Sequence, residues 1–232
     1  MRRFIVENIE NDHITFSKEE SKHIVKVLRL KSNHEIELID GNGGLAKAKL
    51  KDTDVIACHA EIIDRTKTQI NPCMTHLVMS PTKNHDKIEW VIEKGTELGV
   101  SEFSFITCEN SERHKINLDR LERIMLAATK QCLRLFFPKI NPLINFKQFI
   151  NQHPKGLIAF CSEGHKSYFN HFSQPNDLPI LIGPEGDFSK DEINLALMSG
   201  YKGISFGNFR LRTETAALYA CCISNGLNNN EH

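Results

Sequence analysis

The spacing of apolar positions changes once along the chain, near residue 70. Before that point, short runs alternate apolar and polar residues with a period of two, as strands that bury one face do. Glu35–Ile39 and Leu45–Leu50 are such runs, and Asp40-Gly-Asn-Gly-Gly44 between them has the composition of a tight turn. This pattern predicts a β-hairpin. One helix is also predicted, because Ser17 followed by Glu20 forms a capping box ahead of an apolar stripe.

From Thr75 onward, strand and helix patterns alternate, which is typical of a parallel sheet covered by helices. The predicted strands are short apolar runs at 76–79, 103–107, 157–161, 180–182 and 204–206. The predicted helices have apolar residues at helical spacing and cover about 86–98, 118–134, 191–198 and 213–225. Trp90 is predicted to lie in the core, on the apolar face of the first helix.

The pattern therefore predicts two domains. Residues 1–71 form a small, partly open β-barrel, and residues 72–232 form an α/β domain with a parallel sheet. The hinge is expected at Asn71-Pro72, a dipeptide that favours a turn.

Composition narrows the class of protein. No stretch approaches the roughly 18 apolar residues that span a bilayer, and no signal-peptide core follows Met1, so we expect a cytoplasmic protein without membrane association. The seven cysteines include no Cys-x-x-Cys pair, and the odd number leaves at least one unpaired. Those that stand in apolar runs are expected to be reduced core thiols: Cys58, Cys108, Cys161 and Cys221. No metal site is predicted, because the histidines are scattered.

The distribution of charge is more informative than its sum. The 29 Lys and Arg residues balance 29 Asp and Glu residues, so the net charge of the chain does not indicate a nucleic-acid partner. Between Arg113 and Lys139, however, the sequence contains seven cationic residues and only two acidic ones. Such a block is usually a solvated helix face. It is better explained by phosphate contact only where other residues indicate nucleic acid.

Two segments near the C-terminus each join a short apolar strand to a polar, glycine-containing loop and a helix start. They are Leu181-Ile-Gly-Pro-Glu-Gly-Asp-Phe-Ser189 and Gly207-Asn-Phe-Arg-Leu-Arg-Thr-Glu-Thr-Ala-Ala217. Neither contains the Gly-Lys-Ser/Thr of a phosphate-binding loop or the Gly-x-Gly-x-x-Gly of a dinucleotide fold. Ligands bind at the carboxyl ends of strands in open α/β sheets, and a merely structural turn has little reason to concentrate charge there. The two segments are therefore predicted to be two walls of one ligand pocket.

Together these segments resemble the RsmE family of ribosomal RNA methyltransferases. Further matching motifs are Pro81-Thr-Lys83, Glu93–Gly99, Ser111-Glu-Arg113, Lys130–Arg134 with Pro138, His23–Leu30 and Asp40–Gly43. The resemblance implies a SPOUT-like α/β domain with a trefoil knot, preceded by a PUA-like RNA-binding β-barrel. Two positions depart from the family pattern: Phe209 stands where a small or polar residue is usual, and Cys132 where Ser is commoner.

The family resemblance implies S-adenosylmethionine-dependent methylation of N3 of uridine 1498 in the 16S rRNA of the small ribosomal subunit, by a homodimer. The implied cofactor-binding residues are Leu181, Gly183, Glu185, Gly186, Ile204, Gly207, Leu211, Arg212, Thr215 and Ala216. The candidate RNA-binding residues are Arg3, Lys26, Arg29, Lys83, Arg113 and Arg134. For each of these cations taken singly, a solvated surface position is the alternative.

Methylation at N3 requires loss of a proton, and negative charge then develops on the base. A nearby cation would stabilise that charge, and Arg212 is the first candidate, with Arg210 second. Solvent or Glu214 could accept the proton. The alternative for Glu214 is a carboxylate favoured by the dipole at a helix start.

Three other functions stay open at this point. The same fold could methylate a ribose 2′-hydroxyl or a tRNA base. The chain could also be a non-catalytic RNA-binding assembly factor, although both loops retain their glycines. A nucleotide-binding oxidoreductase would share the α/β pattern but lacks its fingerprint.

Overall fold

The computed structural model describes residues 2–69, 75–160 and 178–228, without the side chains of 226–228. It divides into two compact units, Met1–Asn71 with Thr129–Phe137, and Pro72–Ala128 with Pro138–His232. The predicted hinge at Asn71-Pro72 lies outside the described residues.

A five-stranded mixed sheet forms the first unit. Its strands are β1 (Arg2–Ile5), β2 (His13–Thr15), β3 (Glu35–Ile39), β4 (Gly44–Leu50) and β5 (His59–Lys67). They are ordered β1-β3-β4-β5-β2, with β1 parallel to β3 and the other neighbours antiparallel. Alternate residues such as Ile36, Leu38 and Ala48 bury one face, as the period of two predicted.

The predicted hairpin between β3 and β4 is confirmed, and its loop has a second role. Gly41 and Gly43 both have positive φ, 74° and 87°, which favours glycine. Phe137 donates its N–H to the Gly41 carbonyl at 3.0 Å, and Gly43 donates to the Leu135 carbonyl at 3.0 Å. A Cβ on Gly41 would lie 2.2 Å from the Phe137 ring. These bonds explain why residues 129–137 belong to the first unit.

The predicted helix of the first unit is shorter than its apolar stripe. Helix α1 (Lys18–Lys22) begins after Ser17, whose hydroxyl accepts the Glu20 N–H at 3.2 Å. A π-helical turn over His23–Val27 then replaces further α-helix. Arg29 follows with φ of 53°.

The second unit is a six-stranded, all-parallel sheet flanked by helices. Its strands are β6 (Thr75–Met79), β7 (Val100–Thr107), β8 (Lys139–Asn145), β9 (Gly156–Ala159), β10 (Pro179–Ile182) and β11 (Tyr201–Ile204), in the order β11-β9-β10-β6-β7-β8. The helices are α2 (His85–Glu97), α3 (Leu118–Gln131), α4 (Phe146–Gln152), α5 (Lys190–Met198) and α6 (Thr213–Asn228). The last residues of α3 belong to the first unit.

The predicted fold class is confirmed: an α/β domain on a parallel sheet accompanies a small β domain. The predicted strand end at Cys161 lies outside the described residues. The sequence pattern missed two elements, β8 and α4. In β8, Pro142 interrupts the run of apolar residues. Proline is tolerated there since β8 is an edge strand. Strand β11 ends at Ile204, where the predicted strand began.

Trp90 contradicts its prediction as a core residue, since 45% of it is exposed. The buried face of α2 consists of Ile88, Val91, Ile92, Gly95 and Thr96. Trp90 is two residues beyond Ile88, about 200° around the helix, and so points away from that face.

Cys58, Cys108 and Cys221 are buried and unpaired, as expected, whereas Cys161 lies outside the described residues. Burial raises the pKa of the Cys58 thiol to about 11.

No helix in the described part of the chain is long and apolar enough to cross a bilayer. Nor do the described residues contain a group of three or more His, Cys, Asp or Glu side chains suited to a metal.

A buried polar cluster joins β6, β7 and β8. His76 Nε2 lies 2.8 Å from Ser104 Oγ, and Asn141 Nδ2 donates to Ser104 Oγ at 2.8 Å and to Glu102 Oε1 at 2.6 Å. Burial lowers the pKa of His76 to about 4, against the opposing effect of the Glu102 carboxylate. His76 is therefore neutral in the folded chain at pH 7.

We expect His76 to make folding sensitive to acid. Between pH 6.5 and 4 the unfolded chain binds a proton that folded His76 does not, so stability falls by up to about 3 kcal/mol as pH falls. Urea unfolding of the wild type and of His76→Gln at several pH values measures this. The variant should lose less stability over that window, whereas His114→Gln, at an exposed position, should behave like the wild type. Equal acid sensitivity in His76→Gln would contradict the assignment.

Candidate active site

A cavity of about 720 Å³ lies at the carboxyl ends of β9, β10 and β11. The loop after β10 contributes Gly183, Pro184, Glu185 and Asp187, and the loop after β11 contributes every residue from Ser205 to Thr213. The structure thus places both glycine-containing segments on one cavity. The parallel sheet explains this, because neighbouring parallel strands end at the same edge.

The loop after β10 is held in a fixed shape by its own backbone and by a neighbour. The Asp187 N–H donates to the Pro184 carbonyl at 2.9 Å, and Asp187 has φ of 64°. Asn110 Nδ2 donates to the carbonyls of Gly186 and Asp187 at 3.3 and 3.1 Å. Glycine at 186 avoids crowding, because a Cβ there would lie 3.0 Å from the Asn110 Cβ.

Helix α5 begins where the sequence predicted. Ser189 and Glu192 form a complete capping box, in which each side chain accepts the other residue's N–H, at 3.3 and 2.9 Å. Because α5 starts directly after the loop, this cap fixes the loop's far end.

The loop after β11 is more open. Gly207 has φ of 118°, and a Cβ there would meet nothing within 4 Å. Ser205 Oγ donates to the Gly207 carbonyl at 3.2 Å. The loop ends as the Arg212 carbonyl accepts the Ala216 N–H at 2.8 Å, which opens α6.

Most of the residues predicted to bind the cofactor line the cavity. These are Gly183, Glu185, Ile204, Gly207, Leu211, Arg212 and Ala216. Leu181, Gly186 and Thr215 are not among the lining residues: Leu181 is fully buried within β10, Gly186 packs against Asn110, and Thr215 is exposed on α6.

The three residues predicted to be catalytic are placed differently from one another. Arg210 and Arg212 are exposed side chains that line the cavity. Arg210 makes a long contact of 3.5 Å with the Glu185 carbonyl. Glu214 is 8% exposed and does not line the cavity, so it is poorly placed to act as a base.

Lys87, which was not predicted, accounts for the position of Glu214. Lys87 lines the cavity, and its Nζ lies 2.9 Å from Glu214 Oε1. Glu214 Oε2 is buried and has no hydrogen-bond partner among the described residues. The sequence did place Lys87 in the first turn of the helix that follows β6, near the predicted ligand edge of the sheet. No residue close to it in sequence indicates that Glu214 is its partner.

We expect the Lys87–Glu214 pair to stabilise the junction of α2 and α6. Lys87→Met leaves a buried carboxylate without its counter-charge, which should lower the free energy of unfolding by about 2 kcal/mol, less than for a fully buried pair. The Lys87→Met/Glu214→Gln double variant should recover part of that loss. A double-mutant cycle by urea unfolding at pH 7 measures the coupling. Strictly additive single effects would show that the pair contributes nothing.

The predicted RNA-binding cations divide between the two units. In the first unit, Lys26 and Arg29 are exposed. Arg3 is not a surface cation: its side chain is 7% exposed and its NH2 group lies 2.8 Å from Glu37 Oε2. Arg134, half-buried, belongs to the first unit rather than the second because residues 129–137 pack there.

In the second unit, Arg113 is a structural hub. Its Nε and NH2 groups donate to the carbonyls of Thr82 and Lys83 at 3.1 and 2.5 Å, and its NH1 group contacts His85. Lys83 Nζ lies 2.8 Å from Glu112 Oε2. Both cations thus already bond to groups of the protein itself, although Lys83 remains exposed.

The sequence matches two families that fit these units. The RNA methyltransferase domain family matches residues 69–225, and the RNA methyltransferase PUA domain family matches residues 16–63. The fold and the cavity thus define an RNA methyltransferase domain that is joined to a PUA domain.

Individual relatives narrow the class. The ribosomal RNA small subunit methyltransferase E of Mesomycoplasma hyopneumoniae is 30% identical, over 94% of this chain and 96% of that protein. The crystal structure of a "probable rRNA-methyltransferase" from Porphyromonas gingivalis is 34% identical and covers 100% of both chains with a TM-score of 0.88. A protein from Legionella pneumophila, solved in complex with the bound cofactor SAM, is 26% identical over 97% of this chain and 96% of its own, with a TM-score of 0.84. The chain belongs to the ribosomal RNA small subunit methyltransferase E family, the RsmE family.

Proposed function

We propose that this chain transfers the methyl group of S-adenosylmethionine to N3 of uridine 1498 in the 16S rRNA of the small ribosomal subunit. The observation that carries the proposal is the meeting of the two glycine-containing loops on one cavity at the carboxyl ends of β9, β10 and β11. Relatives named ribosomal RNA small subunit methyltransferase E support the substrate class. The Legionella structure with bound SAM supports the cofactor.

The lining of the cavity fits a nucleoside with a charged tail. Its volume of about 720 Å³ is within the usual range for small-molecule sites. Ile182 and Ile204, which are 2% and 1% exposed, provide an apolar wall for a planar base. Gly183 and Gly207 line the cavity without a side chain, so that main-chain N–H and C=O groups can bind the base edge and the polar tail.

Methyl transfer from a sulfonium is an in-line displacement, and S-adenosylmethionine supplies the activated methyl group. The chain's tasks are to orient the two reactants and to exclude water. Rigid loops suit the first task, and the bonds from Asn110 to Gly186 and Asp187 hold one of the two loops in place.

The chain must also stabilise charge on the acceptor. When N3 loses its proton, negative charge spreads to the two flanking carbonyl oxygens of uracil. The Arg212 guanidinium, exposed on the cavity wall, is the group we assign to those oxygens, and Arg210 is the second candidate. Because Glu214 is paired with Lys87 and does not line the cavity, we assign the proton to solvent rather than to Glu214.

Exposed and half-buried cations supply the proposed contacts to the RNA backbone. These are Lys26 and Arg29 of the PUA domain with Arg134, and Lys83 and Arg113 of the methyltransferase domain. Arg3 is left out because its guanidinium is buried against Glu37. Contacts of this kind weaken with salt in proportion to their number.

We further propose that the chain works as a homodimer in the cytoplasm. The support is that two helices that pack together, α2 and α6, each leave an aromatic side chain exposed: Trp90 is 45% exposed and Tyr219 is 38% exposed. Sedimentation equilibrium should give twice the mass of the chain. A monomer that is fully active would contradict the dimer.

The decisive experiment supplies the chain with S-adenosylmethionine carrying a labelled methyl group. Naked 16S rRNA and small subunits that lack the modification are tested separately, and the labelled nucleotide is mapped and digested to nucleosides. We expect 3-methyluridine at one position. Label on a ribose 2′-oxygen or in tRNA would identify another acceptor. No label, with no calorimetric binding of S-adenosylhomocysteine, would indicate a non-catalytic assembly factor.

A further inference from the structure

Phe209 is an aromatic side chain left in solvent at the cavity. It lines the cavity, yet 87% of it is exposed. The preceding aromatic of the same loop, Phe206, packs edge-to-face on Tyr219 with ring centroids 5.4 Å apart. The loop therefore packs the Phe206 ring against α6 and leaves the Phe209 ring exposed to solvent. Its exposure places Phe209 at the open side of the cavity, whereas Ile182 and Ile204 form the inner wall.

The proposed reaction requires the target uracil to leave its base stack, so that both faces of the base lose their neighbours. N3 of uracil is on the Watson–Crick edge, so a base that is paired and stacked cannot present N3 to a donor inside a cavity. The base must leave its stack, which costs a few kcal/mol. RNA-binding proteins commonly offset this cost by stacking unstacked bases on aromatic side chains.

The neighbours of Phe209 also suit RNA. Arg210 follows it directly and Arg212 is two residues further on, and both are exposed on the cavity wall. An aromatic ring together with cations on the same loop is the combination that single-stranded RNA sites use, because the ring accepts any base and the cations attract the backbone. A cofactor bound against the inner wall would leave this ring uncovered.

We infer that Phe209 is a stacking platform for an unstacked base of the RNA substrate at the mouth of the cavity. The inference rests on the proposed function and adds a substrate-positioning residue to it. It also gives a role to a residue that departs from the pattern of the resembling family.

The test compares four variants by methyl transfer to unmethylated small subunits at saturating S-adenosylmethionine. Phe209→Ala and Phe209→Leu should raise KM for the subunits on the order of ten-fold, the loss expected from one base–aromatic stack. Phe209→Trp should stay near the wild type because it keeps a π-face. Met198→Ala is the matched control, since Met198 is 88% exposed but does not line the cavity, and it should change nothing. The calorimetric Kd for S-adenosylhomocysteine and the Tm should be unchanged in all four.

Three results would overturn the inference. A wild-type KM in Phe209→Leu would show that apolar bulk, not stacking, is what matters. A loss of S-adenosylhomocysteine affinity in Phe209→Ala would place the ring on the cofactor. A change in sedimentation would place it at a subunit contact. Failure of the proposed function is distinguishable, because the wild type itself would then form no 3-methyluridine.

Discussion

Replacing Arg212 with alanine is expected to slow single-turnover methyl transfer on the order of 10²- to 10³-fold, with the affinity for S-adenosylhomocysteine nearly unchanged. This is the size of the effect when one preorganised donor to a developing negative charge is removed. The Arg212 side chain is exposed on the cavity wall, whereas its backbone carbonyl caps the first turn of α6 at 2.8 Å from the Ala216 N–H. Alanine keeps that backbone bond, so the loop should hold its shape.

Two further variants sharpen the test of Arg212. Arg212→Lys keeps the charge but loses the planar fork, and should be intermediate. Arg210→Ala removes a cation from the same loop and should cost less, because Arg210 is the second candidate. Rates are measured with saturating enzyme and assembled small subunits. An unchanged single-turnover rate in Arg212→Ala would remove the residue from the mechanism, and an equal loss in Arg210→Ala would assign the charge to the loop as a whole.

Replacing Gly183 with valine is expected to weaken S-adenosylhomocysteine binding on the order of 10²-fold. A Cβ at this position would already lie 3.1 Å from the Phe188 ring and 3.2 Å from the Phe188 nitrogen. Phe188 is only 5% exposed and cannot move aside cheaply, so the added volume must either shift the cavity-lining loop or enter the cavity. Overpacking costs about 1–3 kcal/mol in a packed interior, and a loss of that size from the binding free energy raises Kd ten-fold for every 1.4 kcal/mol.

The size dependence of the effect makes the Gly183 prediction specific. Calorimetric affinities should fall in the order Gly, Ala, Val, since each step places more volume in the cavity. Gly156→Ala is the matched control: its Cβ would lie 2.4 Å from Tyr201, at the other end of the neighbouring strand β9. It should lower Tm without lowering affinity. Unchanged affinity in Gly183→Val would mean that the cofactor binds elsewhere.

Features that depend on residues close in sequence were predictable. The Ser189–Glu192 capping box joins residues three apart, and the structure forms both of its bonds. The Asp40–Gly44 turn and the parallel strand–helix alternation were predictable for the same reason, because hydrophobic period and turn chemistry act locally. The two glycine-containing loops could be assigned to one cavity because the ends of parallel strands meet.

Other features depend on which surfaces meet across the fold. The period of an apolar stripe does not say how wide the buried face is, so Trp90 was predicted to be buried although it is exposed. Charge alone does not reveal a partner. The sequence context of Arg3 is that of a surface cation, but Glu37 lies beside it in the structure. The context of Glu214 is that of a possible base, but Lys87 lies 2.9 Å away.

The sequence by itself determined the change from a β domain to alternating strands and helices, the places of the two glycine-containing loops and the family, because each of these depends on short segments. Only the tertiary structure decided that residues 129–137 join the first unit, that Lys87 holds Glu214, and that Phe209 stands free at the cavity. The physical reason is that burial and ion pairing are properties of surfaces brought together by the chain's path, and no local pattern encodes that path.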